Sequence, residues 1–86
     1  MVFYVALMSR SHALLLERRL KDEKVNCELT FMPREIMLDL CNMGVKFYER
    51  ELQRAIPVIR KSGLPGCRVF KEILSSYGCN YEEIPI

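Results

Sequence analysis

The chain has 86 residues and a mass of 10.1 kDa, and its 13 Lys and Arg against 11 Asp and Glu give a net charge of +2. Half of the residues are hydrophobic and 28% are charged, a composition that excludes intrinsic disorder. This length predicts one domain over residues 1–86. A domain of this size buries only about 60–65% of the surface that its unfolded chain exposes.

The basic side chains do not form a patch. Arg18, Arg19 and Lys21 share their segment with acidic residues, which is typical of a solvated helix face and not of a nucleic-acid contact surface. The apolar run at residues 2–8 is short and lacks a basic leader, so it predicts neither a signal peptide nor a membrane span. We therefore expect a cytoplasmic protein that binds neither nucleic acid nor a membrane.

The first half of the chain predicts a strand followed by a helix. Residues 2–8 alternate between two apolar faces, as a central strand does. Ser9 and Ser11 then offer N-cap oxygens to an amphipathic helix that runs to about residue 24.

Two further strands are predicted next. Residues 26–32 alternate again, and three side chains are predicted to face inward: Cys27, Leu29 and Phe31. Pro33 ends this strand because proline cannot donate to a ladder. Residues 45–48 make a third, shorter strand.

The second half predicts a pair of helices and a last strand. Residues 49–63 have apolar side chains at helical spacing, although Pro57 is expected to kink or divide the helix. Residues 69–77 are apolar at i, i+1, i+4, i+5 and i+8, which predicts a further helix closed by Gly78. Residues 80–86 are then the final strand.

This order of elements predicts an α+β protein. Right-handed crossovers give the ferredoxin-like split βαβ arrangement, a four-stranded antiparallel sheet with helices on one face and an extra helix in the second half. The first and third strands lie in the middle of that sheet. Because the first two strands run the same way, the segments that follow them meet at the same end of the sheet.

The four cysteines at 27, 41, 67 and 79 form no CxxC pair. Zinc and iron–sulfur sites normally use such short ligand spacings, and the predicted compartment disfavours a disulfide framework. We therefore predict no metal and no cofactor.

Two interpretations of Cys41 remain open. Arg34 and Cys41 follow the second strand, and Ser11 and His12 begin the first helix, at the same end of the sheet. A helix N-terminus, an arginine or a protonated histidine each favour the reactive thiolate. However, the apolar residues before Gly44 also fit a short helix, in whose last turn Cys41 would serve packing alone.

Cys67 is an alternative reactive thiol. It lies at the start of the predicted third helix, where the helix dipole favours a thiolate. If residues 62–67 lead directly into a strand instead, Cys67 joins Cys41 at the same end of the sheet.

Four segments between residues 3 and 47 carry a family resemblance. They are the first strand, the segment SRSHALLLERRLK, the MPRE that ends the second strand, and a cysteine shortly before the strand GVKF. In these segments the chain resembles a family of small selenium or sulfur carrier-like proteins. Residues 69–86 are similar to the closing helix and strand of that family, and residues 49–66 hold extra sequence.

The resemblance maps the cysteine of that family onto Cys41 and its Pro-Arg pair onto Pro33 and Arg34, while Asn42 stands where the family has a glycine. It implies a small thiol carrier that accepts sulfur or selenium on Cys41 from a donor protein and hands it to an acceptor protein. Arg34, together with the helix start at Ser11 and His12, would stabilise the anion.

A second hypothesis is a non-catalytic interaction or dimerisation module, in which a homodimer adds buried surface to a small core. The chain lacks paired carboxylates at a defined spacing, a second histidine and a cofactor fingerprint. We therefore expect a carrier or a binding protein in preference to an independent enzyme.

Overall fold

The computed structural model of the protein describes residues 1–37 and 42–86. Within these residues the chain forms five strands and two α-helices. In chain order they are β1 (Val2–Ala6), α1 (Arg10–Asp22), β2 (Glu28–Phe31), β3 (Met43–Tyr48), α2 (Leu52–Ser62), β4 (Arg68–Ser75) and β5 (Gly78–Ile84). Two 3₁₀ turns, Arg34–Ile36 and Glu49–Glu51, precede β3 and α2 respectively.

The five strands form one antiparallel sheet in the order β2-β3-β1-β4-β5. β1 is the central strand and pairs with both β3 and β4, so that Ala6 lies opposite Gly44 on one side and Arg68 on the other. β1 and β3 are interior strands, as the sequence predicts.

The main core lies between the sheet and the two helices. The alternation of β1 directs Phe3 and Val5 to the helices, and the Phe3 ring stacks on that of Phe47 with 5.5 Å between centroids. The helices contribute the apolar stripes that their spacing predicts, namely Ala13, Leu16 and Leu20 from α1 with Ala55 and Ile59 from α2.

A second, smaller cluster lies on the opposite face of the sheet. Ala6, Met32, Ile36 and Phe70 are buried there, and Tyr4 and Tyr81 pack against them. This face is therefore partly covered, by the 3₁₀ turn that contains Ile36.

The prediction of a helix over residues 69–77 and of four strands is wrong, because this segment is most of β4 and raises the count to five strands. Val69 packs in the main core while Phe70 packs in the cluster on the opposite face. A strand that is buried on both faces places apolar residues next to one another, and this imitates the helical spacing. The ferredoxin-like designation stays a prediction.

Two local expectations are also corrected. Phe31, predicted to face inward, is 69% exposed, because it is the last residue of an outer strand. The predicted helix pair is one helix, α2, which continues through Pro57. The backbone N–H that proline lacks would bond to Gln53, and Gln53 is exposed, so water can reach its carbonyl instead.

Candidate functional site

The candidate site is built around the end of the sheet where β1 stops and α1 begins, which we call the Ser9 end. The pairing of Ala6 with Gly44 and Arg68 places the starts of β3 and β4 at this end. Phe31 pairs with Met43, so β2 also ends here. Segments from four strands therefore meet where the sequence predicts reactive groups.

Ser9 is the N-cap of α1. Its Oγ accepts a hydrogen bond from the backbone N–H of His12 at 3.1 Å, and its carbonyl accepts one from Ala13. Ser11, predicted as a second cap, is exposed within the first turn. Because the Ser9 side chain occupies the His12 N–H, any contribution of His12 to an anion must come from its ring.

The His12 ring is half-buried. Its Nδ1 is inaccessible to solvent and has no hydrogen-bond partner among the described residues. A buried imidazole nitrogen normally has a partner, because an unsatisfied polar atom costs free energy. The His12 ring is therefore a polar group at the Ser9 end that can still form a hydrogen bond.

Arg34 is held at the Ser9 end by the residues on either side of it. The Met32 N–H donates to the Asn42 carbonyl at 2.8 Å, which ties the end of β2 to the residue before β3. Ile36 is buried in the cluster on the opposite face together with Met32. The Arg34 side chain itself is exposed, so its guanidinium charge lies on an anchored turn and remains available to a ligand.

Gly44 permits this anchoring and is a residue that the sequence reasoning missed as a positioning element. A Cβ at Gly44 would lie 2.5 Å from the Val5 carbonyl oxygen and 2.9 Å from Met32 Cγ. The Met32 side chain therefore occupies the space that a larger residue would need. The signal in the sequence was a glycine at the start of a strand, where close approach of another group is a common reason for it.

The prediction of a reactive Cys41 lies outside the described residues. The described chain continues on both sides of it, to Met37 after the 3₁₀ turn and from Asn42 before β3. Asn42 directly precedes β3 and therefore belongs to the Ser9 end.

Cys67 does not begin a helix, which corrects that prediction. It directly precedes β4, and so lies at the Ser9 end, the outcome expected if residues 62–67 lead into a strand. It is half-buried against the main core, and this burial raises the pKa of its thiol to about 11. The thiolate is therefore scarce at neutral pH.

The other two described cysteines lie elsewhere. Cys27 packs against the core, its Sγ lies 3.8 Å from the Glu17 carbonyl oxygen, and burial raises the pKa of its thiol to about 11. Cys79 is exposed in β5, opposite Leu74, near the hairpin at the far end of the sheet. Neither contributes to the Ser9 end.

Among residues 1–37 and 42–86, no group of three or more His, Cys, Asp or Glu side chains is arranged to hold a metal ion. Within the same residues no helix has the length and apolar character needed to cross a bilayer.

Comparison with known proteins gives one match. The model of a family described as "Putative Se/S carrier protein-like" matches residues 3–71, which is well over half of the chain. The match includes residues 49–66, so the prediction that these residues are extra to the family is wrong, and the match ends before β5. No curated protein and no solved structure that was compared matches the chain.

Proposed function

Because the chain belongs to the putative Se/S carrier protein-like family, we propose that it carries sulfur or selenium on the thiol of Cys41. The observation that supports this choice most strongly is the burial of the other candidate thiols. Three cysteines lie within the matched residues 3–71, and two of them, Cys27 and Cys67, have a thiol pKa raised to about 11 by burial.

A carrier thiol must ionise near neutral pH, because the thiolate is the attacking species. With a pKa of about 11, only about one thiol in ten thousand of Cys27 or Cys67 is ionised at pH 7. Cys79 is exposed but lies outside the matched residues and at the far end of the sheet. Cys41 is the remaining candidate.

Two groups at the Ser9 end, on opposite faces of the sheet, would suit an anionic sulfur. The exposed guanidinium of Arg34 supplies a positive charge on a turn that Met32 and Ile36 hold in place. The first turn of α1 supplies the partial positive charge of a helix N-terminus and the unpartnered Nδ1 of His12. These groups would stabilise the Cys41 thiolate and the charged adduct.

The proposed step is thiol exchange with a donor protein that bears a persulfide. The Cys41 thiolate attacks the terminal sulfur of the donor, a new S–S bond forms, and the S–S bond of the donor breaks. The electron pair of the broken bond leaves as the donor thiolate, while the transferred sulfur keeps its proton. No net oxidation occurs, and an acceptor protein removes the cargo by the same exchange in reverse.

The direct test is sulfur loading of the purified protein from a small persulfide, measured as a mass gain of one sulfur atom. We expect the wild type and the Cys67→Ser and Cys79→Ser controls to load, and Cys41→Ser to remain unloaded while its circular dichroism spectrum is unchanged. A Cys41→Ser variant that loads as fully as wild type would contradict the proposal.

A further inference from the structure

β5 presents an edge of the sheet that is free to pair. It pairs with β4 on one side, and no described strand lies on its other side. The other outer strand, β2, is only four residues long, a feature that protects an edge. β5 has seven residues, with Pro85 lying beyond its last residue, and longer edges are the ones on which further strands assemble.

The outward-facing hydrogen-bond groups of β5 follow from its hairpin. Ser75 and Gly78 are opposite each other across a two-residue turn, so they form a hydrogen-bonded pair. Bonded and non-bonded pairs alternate along an antiparallel ladder. The backbone N–H and C=O groups of Cys79, Tyr81 and Glu83 therefore face away from β4.

Both ends of this edge carry exposed apolar side chains. β1 pairs with β4 as far as Lys71, so the remainder of the hairpin projects beyond the central strand. Tyr77 at its tip is 99% exposed, and Ile86 beyond the other end of β5 is 40% exposed.

We propose that the free edge of β5 pairs with β5 of a second copy of this chain. The two strands run antiparallel around a two-fold axis at Tyr81 and join the two sheets into one. In this register Cys79 lies opposite Glu83 of the second copy, and Tyr77 lies beside its Pro85. The exposed tip of each hairpin thereby meets the apolar C-terminal residues of the other copy.

The charges along the edge favour this register. Residues 72–86 contain three acidic side chains and no basic one, and of these only Glu83 is paired with a cation within the described part of the chain, the Arg68 guanidinium of β4, so a self-pairing should keep the carboxylates apart. With the axis at Tyr81, Glu82 faces Asn80 and Glu83 faces Cys79 of the other copy. An axis at Glu82 or Glu83 would place identical carboxylates directly opposite each other, and an axis nearer the hairpin would leave much of β5 unpaired.

Two substitutions at the exposed Cys79, to Glu and to Lys, test the register because they should change the dimer dissociation constant differently. In sedimentation-velocity runs over a range of concentrations, the wild type should form a dimer. Cys79→Glu places a carboxylate opposite Glu83 in two symmetric places, so the dissociation constant should rise by roughly two- to thirtyfold. Cys79→Lys places opposite charges there, and the dissociation constant should stay equal to that of wild type or fall. Thermal unfolding of both variants measures whether the monomer remains folded.

Amide hydrogen exchange provides a second measurement that needs no substitution. The amides of Cys79, Tyr81 and Glu83 should exchange quickly in dilute protein and slowly in concentrated protein, while those of Asn80 and Glu82 remain protected throughout. A protein that stays monomeric at all concentrations, or a dimer in which those three outward amides stay unprotected, would overturn the proposal. Because the test involves neither Cys41 nor sulfur loading, its outcome is separate from that of the carrier function.

Discussion

Replacing Gly44 by alanine should destabilise the protein strongly, because this glycine allows two strands and a buried methionine to meet. The added Cβ would lie 2.5 Å from the Val5 carbonyl oxygen, below the 3.0 Å that Cβ atoms keep from other atoms, and 2.9 Å from Met32 Cγ. Overpacking of this kind costs about 1–3 kcal/mol. Displacing Met32, which is 7% exposed, adds about 1–2 kcal/mol of lost burial.

We therefore expect Gly44→Ala to lower the free energy of unfolding by about 2–5 kcal/mol, a large fraction of the roughly 5–15 kcal/mol that is typical of a domain. Urea denaturation followed by circular dichroism measures this loss. Gly63→Ala is the matched control, since Gly63 has a φ of +68° but no atom within 4 Å of its Cβ position, and it should lose only about 1 kcal/mol. Equal losses in the two variants would refute the close packing at Gly44.

Three further predictions follow from the described contacts. Raising the pH from 9 to 11 should lower the free energy of unfolding, because burial raises the thiol pKa of Cys27 and Cys67 from 9.0 to about 11. The protonated thiols stabilise the fold below pH 9, and this stabilisation is lost as the pH approaches 11. In urea titrations at the two pH values, a Cys67→Ala variant should show a smaller loss than wild type. Arg34→Ala should slow sulfur loading at pH 7 by about tenfold, which corresponds to about one unit in the pKa of the carrier thiol. Arg34→Lys should retain most of the loading rate. Equal loading rates for wild type and Arg34→Ala would show that Arg34 does not belong to the site. Glu51→Ala should cost about 1–3 kcal/mol in thermal or urea unfolding, because the buried Glu51 carboxylate accepts hydrogen bonds from the Arg54 guanidinium and the Asn26 N–H. A loss below about 0.5 kcal/mol would show that these contacts do not stabilise the fold.

The elements whose burial is one-sided could be predicted from the sequence. The stripe of α1 faces a single core, so its period is visible in the chain. The prediction of a helix over residues 69–77 was wrong because Val69 and Phe70 face two different apolar clusters. No local pattern distinguishes that arrangement from a buried helix.

The sequence indicates the end of the sheet at which the described candidate residues lie, and the site on Cys41 stays a prediction. The parallel direction of β1 and β2 correctly brings Arg34 and the start of α1 to one end of the sheet. The thiol pKa of Cys67 depends on whether a helix or a strand follows the residue, and on how deeply the thiol is buried. Tertiary packing determines that burial. The role of Gly44 depended on the side chain of Met32, twelve residues away, which no local signal indicates.

The most direct test of the carrier function is the rate of iodoacetamide labelling at each cysteine of the native protein as a function of pH, measured peptide by peptide. We expect Cys41 to label fastest, with a midpoint well below the free-thiol value of about 8.5, and Cys27 and Cys67 to label slowly until the pH approaches 11. A Cys41 that labels slowly, or only with an ordinary midpoint, would contradict the assignment of the carrier thiol and would favour an interaction module.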